Sequence, residues 1–246
     1  MKNRERILAE FQAVPENTLI MTGKLYREKF SEQMSEAAFT QAISRLSKSG
    51  EIERISKGIY CMPKKTRFGT ILPSDREIVD LFTKQNNGVI VGYGLYNSLG
   101  VTTQVSKRLT AYSSIVDEQF KQIGNVVVQK YDLDYTDEAK AVIRMMELLQ
   151  HYKEIQDIDY SAFLRNAEAL SKQYTEGAFE VVQRVIGYPK RTVAFLREAL
   201  NYYHVPNSLS KHLSALSNYR IPRMEELYEA SQQSNGQKIL PFSRLI

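Results

Sequence analysis

The chain has 246 residues, 43% of them apolar, which is enough to build one large packed domain or two smaller ones. Its formal charge of +5 lies wholly in residues 1–67, which hold 13 Lys or Arg against 8 acids, whereas residues 68–246 hold 20 of each. A basic head on a neutral body points to a polyanion, nucleic acid first, at one end only. No apolar run approaches the ~18 residues of a membrane span, Met1 leads into charged residues rather than the apolar core of a secretory signal, and the single Cys61 excludes an internal disulfide. The expectation is a cytoplasmic protein with no membrane partner and a buried structural thiol.

In the head, Ile7, Leu8, Phe11 and Val14 fall at helical spacing over residues 3–14, and Pro15 ends the pattern. A second helix is expected over Thr22–Lys29, with Thr22 as N-cap and Leu25 and Phe30 on one side. The third is expected between a Ser35 cap and a Gly50 stop, with Phe39, Ala42, Ile43 and Leu46 as its core face. Its opposite face then carries Ala37, Thr40, Gln41, Ser44 and Lys48, with Arg45 at the border. A short hairpin follows, Ile52 and Ile55 flanking its first strand, Gly58 at the turn and Pro63 after the second strand.

Three helices and a hairpin in this order make a winged helix-turn-helix. In that arrangement the third helix reads base edges in the major groove and the hairpin tip reaches phosphates. The residues placed on double-stranded DNA are Thr40, Gln41, Ser44, Arg45 and Lys48 on the helix, Arg54, Ser56 and Lys57 on the wing, and Lys64, Lys65 and Arg67 just beyond it. RNA is disfavoured because no aromatic-rich strand motif of an RNA-binding sheet is present.

Beyond the head, residues 68–135 read as a small α/β unit. A helix capped by Ser74 or Asp75 runs to Lys84, Asn86, Asn87 and Gly88 turn the chain, and strands are expected at Val89–Val91, Arg108–Ser113 and Asn125–Tyr131. A short helix from Tyr93 ends at Gly100. Gly92 and Gly94 lie where a phosphate loop would, but the third glycine of a dinucleotide pattern is missing, since Asn97 stands there, so tight strand-to-helix packing is the expected reason for them. Thr102, Thr103 and Gln104 read first as turn and cap residues, with a ligand or partner contact as the alternative.

Residues 136–232 read as a helical bundle, with helices beginning at Thr136 or Asp137, at Asp159 or Ser161, at Glu176 and at Pro189. Two shorter helices are expected at Ser208–Ser217 and Arg223–Ser231, then a tail over 233–246. His151, His204, His212 and Cys61 lack the close spacing of a zinc set. Asp132 and Asp134 alternate at a strand end and read as solvated loop acids rather than a metal pair. No cofactor, metal or enzymatic activity is expected.

Residues 54–60 (RISKGIY) with Pro63, followed by residues 92–106 (GYGLYNSLGVTTQVS), resemble the AbiEi-like antitoxins of type IV, abortive-infection toxin–antitoxin systems. The resemblance covers roughly Met1 to Tyr112, and Ser106 stands where many relatives have proline. It implies a head that binds inverted repeats in its own promoter. It also implies a body that neutralises a nucleotidyltransferase-like toxin, without a tight complex between the two.

The expected fold is α+β, mostly α: a winged helix-turn-helix at 1–67, a small α/β unit at 68–135 and helices at 136–232. The expected function is an autorepressing antitoxin. The alternatives are a winged-helix regulator with a ligand-sensing or dimerising body, and a protein-interaction module with no DNA partner.

Overall fold

The computed structural model divides into two compact units, Met1–Leu81 and Phe82–Ile246, and describes residues 3–237. The architecture is α+β, mostly α.

Unit 1 opens with α1 (Asn3–Gln12), which turns Ile7 and Phe11 inward. A two-residue strand, β1 (Ile20–Met21), precedes α2 (Thr22–Leu25), whose path continues through one π turn at Tyr26–Phe30. Both ends of that turn close on one ring: Tyr26 and Phe30 lie 5.3 and 5.4 Å from Phe39, centroid to centroid. Thr22 is not the cap expected of it. Met21 holds that position, and the Thr22 hydroxyl and N–H both donate to the Gly58 carbonyl, at 3.2 and 2.9 Å, so β-pairing rather than capping claims the residue. Helix α3 (Glu36–Lys48) begins as expected, with the Ser35 hydroxyl accepting from the Ala38 N–H at 3.3 Å.

Strands β2 (Glu53–Ser56) and β3 (Ile59–Cys61) pair antiparallel across Lys57 and Gly58, the glycine at φ +75°, with a bulge between Arg54 and Ser56. β1 adds to β3, giving the order β1-β3-β2. The alternation of helix and strand is that of a winged helix, and Phe39, Ile43 and Leu46 of α3 bury against Ile7, Phe11 and Ile52. A second ribbon follows at once. Among the described residues, β4 (Lys64–Thr66) and β5 (Gly69–Ile71) pair only with each other. Helix α4 (Asp75–Thr83) then starts in a capping box, the Glu77 N–H donating to the Ser74 hydroxyl and the Ser74 N–H to the Glu77 carboxylate, at 3.3 and 2.7 Å.

Unit 2 contains β6 (Gly88–Val91), α5 (Tyr93–Ser98), β7 (Leu109–Ser113), β8 (Phe120–Ile123) and β9 (Val126–Lys130). Their order is β6-β7-β9-β8, with β7 and β9 parallel and the other pairs antiparallel. β8 escapes a reading by alternation because its inward residues are Lys121 and Ile123 and its outward ones Phe120 and Gln122. The helices are α6 (Asp137–His151), α7 (Tyr160–Ser171), α8 (Glu176–Ile186), α9 (Lys190–Tyr202) and α10 (Met224–Gln237). Thr136, Asp159 and Thr175 cap α6, α7 and α8 through N–H groups three residues on.

One apolar core joins Val89 and Val91 of the sheet to Ile143 and Met146 of α6, and to Phe163, Phe179 and Phe195 of the later helices. The sheet and the helices therefore fold as one body. The helix expected at Ser208–Ser217 shrinks to a single 3₁₀ turn, Leu209–His212. Beyond it Leu213 packs on the core but Leu216 is almost fully exposed, so the apolar face is too small to hold the poor helix formers Ser214 and Ser217 in a helix. α10 runs past the expected end at Ser231, and of the expected tail, residues 238–246 lie outside the described residues.

Candidate nucleic-acid interface

The inner stripe of α3 is Phe39, Ala42, Ile43 and Leu46, and its 3.6-residue period sends Thr40, Gln41, Ser44, Arg45 and Lys48 outward. Thr40, Gln41, Ser44, Arg45 and Lys48 are all exposed. Glu36 in the first turn and Arg45 and Lys48 in the last complement the helix dipole, so the cationic end of the face is the C-terminal one.

The wing presents Arg54 and Lys57 to solvent, while Ser56 is half-buried beside the bulge. Lys64, Lys65 and Arg67 do not extend this wing. They belong to the β4–β5 ribbon, Lys64 opposite Ile71 and Lys65 opposite Thr70, with Arg67 at the turn. The eleven residues thus fall on three elements of unit 1: one helix face and two ribbons.

The electrostatics sort in the same way. Three cations on α1 and around α2 are paired with acids, Arg4 with Glu51, Lys29 with Glu10 at 2.5 Å and Lys24 with Glu28 at 3.8 Å, whereas Arg6 meets the neutral Gln33 and, among the described residues, no ion pair engages Arg27. Among the described residues no ion pair engages Arg45, Lys48, Arg54, Lys64, Lys65 or Arg67. Unit 1 as a whole carries 14 Lys or Arg against 11 acids, so its excess over the body is modest. The stretch 45–67 alone holds seven cations against two acids. Within unit 1 the excess of positive charge is thus densest on the later part of α3 and on the two ribbons.

Other residues singled out by sequence have structural partners. Cys61 is fully buried, and burial, with Glu53 and Glu77 adding, pushes its thiol up to about 11, which leaves it unreactive. Gly92 takes φ +62° at the turn from β6 into α5, and a Cβ on Gly94 would lie 3.0 Å from Ile90 Cγ2, so Gly92 serves the turn and Gly94 the packing of α5 on β6. The Thr102 hydroxyl donates to the Gln156 carbonyl at 2.6 Å and accepts from the Gln104 N–H at 3.1 Å. Asp132 and Asp134 are exposed on either side of buried Leu133, with Lys130 3.7 Å from Asp132.

Two polar clusters in unit 2 escape the sequence. Glu147 is 3% exposed on the inner face of α6, and its Oε1 accepts from the Tyr112 and Tyr188 hydroxyls, both at 2.9 Å. Desolvation raises its pKa, against the pull of those two hydroxyls and of His151, whose Nε2 is 4.0 Å away. An acid four residues after Ile143 in an otherwise apolar stripe is the signal that marks it.

Glu176, Glu180 and His212 bring ligand-type atoms within 4.8 Å of one another. The Lys211 ammonium, 3.1 Å from Glu176 and 2.7 Å from Glu180, already supplies that cluster with a cation. Burial alone would raise Glu176, but hydrogen bonds from Ser208, Tyr174 and Lys211 hold it down at about 2. The cluster ties the 3₁₀ turn to α8.

Residues 16–123 match a family of unknown function, DUF6088. No curated protein matches the chain. The matched stretch contains α3, both ribbons and the glycine phrase at 92–106.

Proposed function

We propose that this protein binds double-stranded DNA through unit 1 and represses transcription of its own operon. The observation that carries the reading is the outer face of α3, where among the described residues no acid pairs with Arg45 or Lys48, and which belongs to the same basic stretch as the two ribbons. Gln41 and Arg45 are the residue types that pair bidentately with adenine and guanine edges. Arg54, Lys57, Lys64 and Lys65 are assigned to phosphates. A cytoplasmic location accords with this, and among the described residues no helix is long and apolar enough to cross a membrane.

The antitoxin role enters through the resemblance alone. The residues that carry it in unit 2 are occupied with architecture: Gly92 and Gly100 adopt positive φ, Tyr96 and Val101 are buried, and Thr102 clasps the chain at Gln156. The likeness to the antitoxins is one of residue phrases, at 54–60 and 92–106. Neutralisation of a nucleotidyltransferase-like toxin by the body is proposed on that footing.

Gel retention on the chain's own promoter tests the first part. Gln41→Ala or Arg45→Ala is expected to relax sequence preference by about 1–3 kcal/mol at one position. The Lys57→Ala/Lys64→Ala pair is expected to weaken all sequences alike and flatten the log–log salt slope by about 0.9 for each lost phosphate contact. Equal affinity of the parent for its promoter and for random DNA at every salt concentration refutes the reading. For the second part, co-expression with the adjacent reading frame is expected to abolish that frame's toxicity, and persistence of the toxicity refutes the antitoxin role.

A further inference from the structure

The β4–β5 ribbon is an unusual object for a protein surface. A two-stranded hairpin on its own is marginally stable in water, yet both faces of this one are largely open: Lys64, Lys65, Gly69, Thr70 and Ile71 are all exposed. At its tip Phe68 is 87% exposed, the most open aromatic ring among the described residues. The Arg67 guanidinium lies 4.6 Å over that ring, which makes a flat cation–aromatic pair at the end of the hairpin.

The tip is built to hold its shape. The Thr66 hydroxyl donates to the Gly69 carbonyl at 2.8 Å and accepts from the Phe68 N–H at 3.2 Å, and Gly69 takes φ +123°. The base is fixed too. Asn17, at φ +63°, donates its N–H to the Met62 carbonyl at 2.8 Å and accepts the Lys64 N–H on its side-chain oxygen at 3.2 Å. A braced arm with an apolar tip is therefore carried on the head.

Charge says what the arm meets. From Arg54 to Ser74 the sequence contains five Lys or Arg and no acid. Such a stretch repels basic and attracts anionic partners, and an exposed phenyl ring flanked by cations matches a stack of bases bordered by phosphates.

We propose that the β4–β5 arm is a second DNA contact, separate from the wing, whose Arg67 enters the minor groove while Phe68 wedges between adjacent base pairs and bends the duplex. The proposal rests on DNA binding by the head. Lys64 and Lys65, on alternate faces of the ribbon, take the phosphates of the two flanking strands. The flexible pyrimidine–purine steps are the preferred point of entry, because unstacking is cheapest there.

The chain has no tryptophan, so Phe68→Trp introduces a single indole, at the tip. On titration with promoter duplex its emission is expected to be quenched as the indole stacks. Phe68→Ala is expected to lower promoter affinity about tenfold, as for loss of one stacked base contact, and to remove most of the DNA bend measured by end-to-end energy transfer, leaving the salt slope unchanged. Arg67→Ala is expected to reduce the salt slope by about 0.9.

If Phe68→Ala binds and bends DNA like the parent while Gln41→Ala still loses specificity, the wedge is refuted and DNA binding by α3 stands. Quenching of the indole emission of the Phe68→Trp variant without DNA, rising with protein concentration, refutes it in favour of self-association. No promoter binding by the parent overturns both proposals.

Discussion

Glu147 offers the sharpest test of the energetics of unit 2. A carboxylate that is 3% exposed among apolar residues loses its hydration, and what it regains is two tyrosine hydroxyls at 2.9 Å and a histidine at 4.0 Å. Burial raises its folded pKa above the ordinary 4.5. The native unit thus holds that proton more tightly than the unfolded chain, so the group's contribution to stability is complete below 4.5 and declines as pH rises through the folded value.

Glu147→Gln keeps an oxygen where Oε1 accepts from Tyr112 and Tyr188 but removes the charge. Its stability relative to the parent is expected to increase as pH rises from 4 through the folded value, and to level off above it. Tyr188→Phe deletes one hydrogen bond to the carboxyl and is expected to cost about 1.5–3 kcal/mol where Glu147 is ionised. A loss near 2 kcal/mol corresponds to about 4–8 °C in Tm for a unit of this size. Urea unfolding followed by the near-ultraviolet dichroism of the tyrosines measures both. A constant stability difference between Glu147→Gln and parent across that pH range refutes the reasoning, as does a Gln variant weaker than Tyr188→Phe at pH 8.

Glu176, held at about 2 against an ordinary 4.5, stabilises the chain above 4.5, and that contribution disappears as pH falls through about 2. Glu176→Gln is expected to show a smaller drop in Tm than the parent between pH 6 and pH 3, and equal drops refute the assignment. Gly88→Ala places a Cβ 2.2 Å from the Tyr112 carbonyl oxygen and 2.5 Å from that of Phe82, both backbone atoms that cannot step aside. A loss at or above the roughly 1–3 kcal/mol of ordinary overpacking is expected in thermal unfolding, and an unchanged Tm refutes the clash.

The helix faces are legible because burial has a period. Phe39, Ala42, Ile43 and Leu46 mark the inside of α3 as plainly in the sequence as in space, and Ser35 announces its start. Elements made by pairing are harder to read. β1 is two residues long and exists only because β3 accepts it, and β8 turns a lysine inward, so neither carries a local signal. The ribbon at Lys64–Ile71 is visible only as a run of cations, because its apolar residues point to solvent and burial leaves no alternation to read. Glu147 and Tyr188, and Glu176 and Lys211, are joined across 41 and 35 positions, a matter of how helices pack rather than of spacing along one of them.

The order β6-β7-β9-β8 also governs how this protein can be taken apart. The stretch matched by DUF6088 ends at residue 123, just before β9, the strand that hydrogen-bonds to both β7 and β8, and it begins after α1, which supplies Ile7 and Phe11 to the head. A fragment trimmed to that stretch would have a sheet with one of its two inner strands missing and a winged helix with an open core. Sequence kinship and foldability have different borders in this chain. Dissection has to follow the second, keeping residues from Asn3 for the head and every strand through Lys130, together with the helices that cover them, for the body.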